Sequence, residues 1–215
     1  MRRILAIVLI IVLLLGVLDF VAKAWIESKV ESAADRELAD AIAADASIDS
    51  FPILERLAFT GKVKRFTLDL AGIASQPLDV SLLHLELHDV RFDRGSLFSQ
   101  PKLTGVGFVE LSAVISEGTI RKATGQDIRL FGTGATIAVA GQTETARAEV
   151  VDTGIELSVE PATRVLIPLP DVDIVPCDVE FHFQKGGLVL TCTSNKVPKI
   201  LVDAIGTAAL REASS

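Results

Sequence analysis

Three histidines and two cysteines are the residues of this chain best suited to metal or redox chemistry. His84, Glu86 and His88 alternate along one predicted strand, so they share one of its faces. At a rise of about 3.3 Å per residue the two histidines stand roughly 13 Å apart, whereas zinc holds its ligands at about 2 Å. One strand cannot supply such a site, and we interpret the three residues as a solvated polar face. We predict no metal site and no cofactor.

Cys177 and Cys192 lie on the two arms of a predicted hairpin whose turn is Gln184-Lys185-Gly186-Gly187. If Phe183 faces Leu188, both cysteines lie on the inner face as a diagonal pair. Their backbones would then be about 7–8 Å apart, slightly far for a relaxed disulfide unless a bulge closes the gap. We expect a disulfide in an oxidising compartment, with two buried thiols as the alternative.

The sequence lacks motifs of hydrolytic or nucleotide chemistry. It has no G-x-S-x-G elbow, and Gly132-Thr133-Gly134 is too short for a phosphate loop and lacks the following lysine. Asp171 and Asp173 are typical of turn residues, and His182 is expected on an outer face. We therefore expect that the protein is not an enzyme. An esterase or lipase would need an organised nucleophile with a nearby base.

The N-terminus is typical of an export signal. Arg2 and Arg3 precede an apolar run over residues 4–18, which is the basic start and hydrophobic segment of a secretory signal. The arginines are expected to stay in the cytoplasm. The remaining domain, residues 25–215, is therefore predicted to be extracytoplasmic, in the cell envelope.

Two fates of this segment stay open. Ala22-Lys23-Ala24 matches an A-x-A cleavage pattern, so residues 1–24 could be a signal peptide removed near Ala24. Alternatively, residues 4–25 form an uncleaved inner-membrane anchor, for which Trp25 would suit the membrane interface.

Charge and composition exclude some partners. The net charge is −7, and it becomes two units more negative without residues 1–24. Such a chain repels nucleic acid phosphates and binds anionic lipid surfaces poorly by charge. With no Tyr and one Trp it also lacks a base-stacking platform. We expect no nucleic acid partner, and any lipid contact must come from apolar burial.

The apolar periodicity predicts an α+β domain. Helical spacing runs from Trp25 to Ala46 and again after Pro198, and Ser116 is expected to cap a short helix through about Thr124. Strands are predicted near 66–70, 78–92, 103–115, 127–140, 143–151, 154–167, 175–184 and 187–194.

The long predicted strand over 78–92 changes its apolar parity twice. Leu82 shares a parity with the residues before it, Leu83 to Leu87 take the other, and Val90 returns to the first. Because a one-residue slip moves every side chain to the other face, we expect two β-bulges and a strongly curved sheet.

Phe51-Pro52, followed by Leu54, Leu57 and Gly61 and then a strand, resembles a known family. So do the later stretch Leu166-Ile167-Pro168-Leu169-Pro170 and the turn exit at Gly187-Leu188. In this order the motifs are similar to those of the LmeA-like phospholipid-binding proteins of actinobacterial cell envelopes, over residues 20–210.

The resemblance implies a fold similar to the tubular lipid-binding modules related to bactericidal permeability-increasing protein. In that fold a highly curved antiparallel sheet wraps a long N-terminal helix, here with a C-terminal helix, and encloses an apolar channel for acyl chains. It implies phospholipid and the membrane as partners, a role in cell-envelope lipid or lipoglycan biogenesis, and no catalytic residues.

The candidate channel lining consists of apolar residues of the turn and of the inner strand faces. They are Phe51, Leu54, Leu57, Phe66, Leu68, Leu70, Leu83, Leu85, Leu87, Phe181, Phe183 and Leu190. These side chains could also fill an ordinary core. The alternative function is a membrane-anchored, non-catalytic accessory protein that supports an envelope glycosyltransferase.

Overall fold

The computed structural model describes residues 20–21, 23–24, 28, 43–49, 60–92, 103–160, 163–170 and 174–197. Strands dominate these ranges, and one short helix is bounded within them. The predicted α+β class, with a long N-terminal helix in one highly curved, tubular sheet and a C-terminal helix, is wrong. The described chain is mostly antiparallel β-structure in two sheets, neither of them closed.

The described elements follow one another with short turns. They are β1 (Ala43–Asp49), β2 (Lys62–Ile73), β3 (Val80–Phe92), β4 (Leu103–Gly105), β5 (Phe108–Ser116), α1 (Glu117–Thr124), β6 (Ile128–Phe131), β7 (Gly134–Val139), β8 (Gln142–Val151), β9 (Gly154–Val159), β10 (Thr163–Pro168), β11 (Glu180–Gln184) and β12 (Gly187–Ser194).

The strands form a large sheet and a small sheet. The large sheet has the order β1-β2-β3-β5-β12-β11, with β4 also paired to β3, and the small sheet has the order β10-β9-β8-β7-β6. The predicted strands over 127–140 and 154–167 are each two strands, because turns at Gly132-Thr133 and after Val159 divide them.

The segment Ala43–Asp49 corrects the predicted N-terminal helix, which was to run through Ala46. Its alanines favour a helix locally, yet the segment pairs antiparallel with β2 along its whole length, from Ala43 opposite Ala71 to Asp49 opposite Arg65. Pairing with a neighbouring strand therefore overrides the local preference. The predicted C-terminal helix after Pro198 lies outside the described residues.

The two changes of face predicted in the long strand occur, but not as one-sided bulges. Val80, then Leu83 to Leu87, then Val90 are the buried positions of β3, so the buried parity changes twice. β2 changes face at the matching positions, and its register with β3 is the same before and after. A left-handed residue lies at each change, Gly72 in β2 and Asp89 in β3.

Helix α1 is held by its ends and by one buried side chain. The Ser116 hydroxyl accepts a hydrogen bond from the Thr119 N–H at 3.1 Å, and Gly125 closes the helix in the left-handed conformation. Both match the caps that stabilise helix termini, and the prediction of this helix is confirmed. Ile120 is fully buried in one cluster of apolar side chains that both sheets share.

The close approach of β9 and β10 makes Gly154 hard to replace. A Cβ atom at Gly154 would overlap the carbonyl oxygen of Ile167, whereas one at Gly132 would meet nothing within 4 Å. We expect Gly154→Ala to lower the free energy of unfolding by about 1–3 kcal/mol, the usual cost of overpacking. Urea unfolding of the purified chain measures this. Gly132→Ala is the control, and equal losses in the two variants would contradict the close approach.

Candidate functional site

One side of the large sheet is a continuous apolar surface, which we call the apolar face. It is built row by row from paired residues of neighbouring strands. Leu68, Leu85 and Leu111 form one such row across β2, β3 and β5. The next row runs through Leu70, Leu83, Ala113, Leu190 and Phe181 and so reaches β11.

The structure brings the described candidate lining residues together on this face. They are Phe66, Leu68, Leu70, Leu83, Leu85, Leu87, Phe181, Phe183 and Leu190. The other three candidates, Phe51, Leu54 and Leu57, lie outside the described residues.

The leucines of the apolar face are closed to solvent, whereas its phenylalanines are not. Leu68, Leu70, Leu83, Leu85 and Leu190 have no exposed surface, and Leu87 has 2%. Phe66, Phe181 and Phe183 are only partly buried, and the last two touch edge to face with centroids 5.5 Å apart. A surface that water cannot touch has no room for a methylene group. An acyl chain reaches these leucines only if the structure opens.

Cys177 and Cys192 form a disulfide with Cα atoms 6.0 Å apart. Phe183 pairs with Leu188 as the hairpin prediction required. The separation is shorter than that of a diagonal pair because β11 begins only at Glu180, so Cys177 is outside the ladder. The bond therefore fixes the segment before the edge strand β11 to β12.

The opposite side of the large sheet carries polar residues, and we call it the polar face. His84 and His88 do not share a site there. His84 Nδ1 lies 2.6 Å from Asp69 Oδ1 on β2, while His88 stacks on Phe108 of β5 with ring centroids 4.1 Å apart. His182, on β11, is exposed as expected.

A three-strand cluster surrounds His88, and we call it the carboxylate–histidine cluster. Its members are Arg65, Glu86, His88 and Glu110. Glu86 Oε1 lies 2.6 Å from Arg65 Nε and 3.1 Å from His88 Nε2, and Glu110 Oε1 lies 3.8 Å from the same nitrogen. Sequence reasoning missed Glu110, although its place between Val109 and Leu111 already predicts a position on the polar face.

A third feature is the end of the molecule where α1 and two hairpin turns meet, which we call the turn end. Gly186 accepts from the Glu117 N–H and donates to the Leu130 carbonyl, so the three elements are tied by backbone bonds. Beside them is a surface depression of about 400 Å³ that includes Lys185 and Phe131. Phe131 is 48% exposed, and sequence reasoning did not single it out.

Within the described ranges, no helix is long and apolar enough to cross a membrane.

Comparison with known families identifies the chain. A family model described as LmeA-like phospholipid-binding matches residues 17–201. The chain belongs to this family. Its role is therefore lipid binding, with phospholipid as the partner class, and the match confirms the resemblance noted in the motifs. No curated protein and no solved structure gives a significant match.

We expect the disulfide to be a main source of stability for the β11–β12 edge. Its cysteines are 15 residues apart, and closing a loop of that size contributes about 3 kcal/mol in the chain-entropy model. Urea unfolding with and without dithiothreitol measures the loss. A Cys177→Ser/Cys192→Ser double variant should match the reduced protein and ignore the reductant. A wild-type protein that also ignores dithiothreitol would contradict the role.

Proposed function

We propose that this protein is an extracytoplasmic phospholipid-binding protein that shelters acyl chains against the apolar face and supports cell-envelope lipid or lipoglycan biogenesis. The observation that carries the proposal is the match to a phospholipid-binding family over most of a chain whose large sheet has one continuous apolar face. The composition of residues 1–25 supports export.

The energetics of acyl burial suit this chain. Each buried methylene contributes about 0.8 kcal/mol, so a sixteen-carbon chain contributes roughly 12 kcal/mol before costs. That is enough to offset a substantial opening of the sheet layers. Binding by acyl burial needs no basic clamp, which fits a chain of net charge −7. We therefore expect weak selectivity among headgroups.

The mouth of the lipid site is proposed at the β1–β2 end of the large sheet. The segment from Phe51 to Leu57 connects these two strands, and its described ends are Asp49, paired with Arg65, and Thr60. Phe66 lies next to this end and keeps exposed surface. An apolar segment beside a partly open position of the apolar face is a suitable entrance.

The membrane is the proposed source of the lipid. Residues 4–25, if uncleaved, would hold the domain at the inner membrane, and a cleaved protein would have to dock through apolar residues, since its acidity disfavours anionic surfaces. In both cases we propose a location outside the cytoplasmic membrane.

A second candidate function is an anchored accessory protein with a filled interior, perhaps the partner of an envelope glycosyltransferase in the sense given by the sequence. The zero exposure of five leucines on the apolar face favours it. Native mass spectrometry of the exported domain, purified without detergent, separates the two. Bound phospholipid supports the carrier, and a protein that stays without bound mass after incubation with vesicles supports the accessory role.

Charges placed at the proposed mouth should release lipid. We expect Phe51→Asp or Leu57→Asp to lower phospholipid retained per protein about tenfold, since each replaces an apolar contact with a carboxylate. His84→Ala, on the polar face, should retain lipid. Lipid extracted from equal amounts of each variant is quantified by mass spectrometry.

Phe131→Asp is the matched control for position. Val109 and Ile115 mark the two ends of the apolar face on β5, about 20 Å apart, and Phe131 belongs to the turn end, beyond Ile115. The variant introduces the same charge at an exposed phenylalanine. Lipid loss in Phe131→Asp together with normal retention in Phe51→Asp would move the entrance to the turn end.

A further inference from the structure

The carboxylate–histidine cluster contains an electrostatic conflict that its protein groups leave unresolved. Glu86 and Glu110 are direct partners in the register of β3 and β5. Like charges opposite each other on neighbouring strands are destabilising. Arg65 contacts Glu86 from β2, but the ion-pair contact that the structure gives Glu110 is to His88, at 3.8 Å.

His88 Nε2 is an orphaned atom inside this cluster. It is buried from solvent and has no hydrogen-bond partner. It lies 3.1 Å from Glu86 Oε1, but that contact lacks the alignment of a hydrogen bond. Buried polar atoms are normally satisfied, and an exception calls for an explanation such as an ion.

The distances match those around a small cation. With bonds of 2.0–2.2 Å, the ligand atoms of a tetrahedral zinc site stand about 3.3–3.6 Å apart. The histidine nitrogen is 3.1 and 3.8 Å from the two carboxylate oxygens, and one ligand atom from each of the three residues lies within 4.8 Å of the others. Small side-chain movements would equalise these distances.

The surroundings resemble the support that metal ligands usually have. Ligating carboxylates are commonly hydrogen-bonded by a second group, and ligating histidines are held in orientation. Arg65 contacts Glu86 at 2.6 Å, and Phe108 stacks on the His88 ring. Glu110 is 55% exposed at its side chain, which leaves a route for the ion and for a water as fourth ligand.

We propose that Glu86, His88 and Glu110 bind one divalent transition-metal ion of the zinc class. Imidazole nitrogen with carboxylate oxygen is a donor set that zinc accepts. The ion would place two positive charges between the paired carboxylates and satisfy the orphaned nitrogen. This site lies on the polar face and is separate from the proposed lipid site.

The test uses the full chain, purified in detergent and stripped with a chelator. Zn²⁺ is titrated by calorimetry, and Co²⁺ is added as a spectroscopic probe of tetrahedral coordination. One equivalent should bind. Glu110→Gln and His88→Asn should each weaken Zn²⁺ binding roughly tenfold or more, and His84→Asn, on the same strand face but paired with Asp69, should leave it unchanged.

Thermal unfolding provides a second readout. Zn²⁺ should raise the melting temperature of the wild type and of His84→Asn but not of Glu110→Gln. No stoichiometric binding, or binding that survives His88→Asn, would overturn the proposal. So would a Glu110→Gln variant that is more stable than the wild type at every zinc concentration. Lipid retention in these variants should stay normal, so failure here is distinguishable from failure of the lipid proposal.

Discussion

The constant register between β2 and β3 is the constraint on which the rest of the structure depends. The strands are 12 and 13 residues long, and both change their buried face twice, at matching positions. If only one strand changed face, a leucine of one strand would face a charged residue of the other. Because both change together, every apolar residue keeps an apolar partner, and the sheet keeps two chemically distinct sides.

This constraint explains which features could be predicted from the sequence. Alternation of period two is a local signal, so β3, β5 and the β11–β12 hairpin could be placed, and so could α1 from its Ser116 cap. The changes of parity in β3 were visible for the same reason. That β2 changes face with it was not, because the weaker pattern around Arg65 and Gly72 acquires meaning only once the strands are paired.

Pairing between distant segments was the larger obstacle. Ala43–Ala46 is a good helix sequence by composition, and only the free edge of β2 makes it a strand. The division into two sheets likewise depends on turns such as Gly132-Thr133, which a continuous apolar pattern conceals. The carboxylate–histidine cluster was missed because one strand was considered alone, whereas its Glu110 comes from the neighbouring strand.

The same pairing bears on how a closed apolar face could admit a lipid. An opening at the β11 edge would have to overcome the Cys177–Cys192 bond at one end of that strand and the hydrogen bond from Gly186 to Leu130 at the other. Within the described part of the large sheet, β1 is the opposite edge and pairs with β2 alone. Separating β1 would break one ladder and expose Leu68 and Leu70, the buried leucines of its neighbour. An opening at β1 therefore costs less than one at β11, and it lies at the end of the sheet where the apolar segment from Phe51 to Leu57 joins the strands.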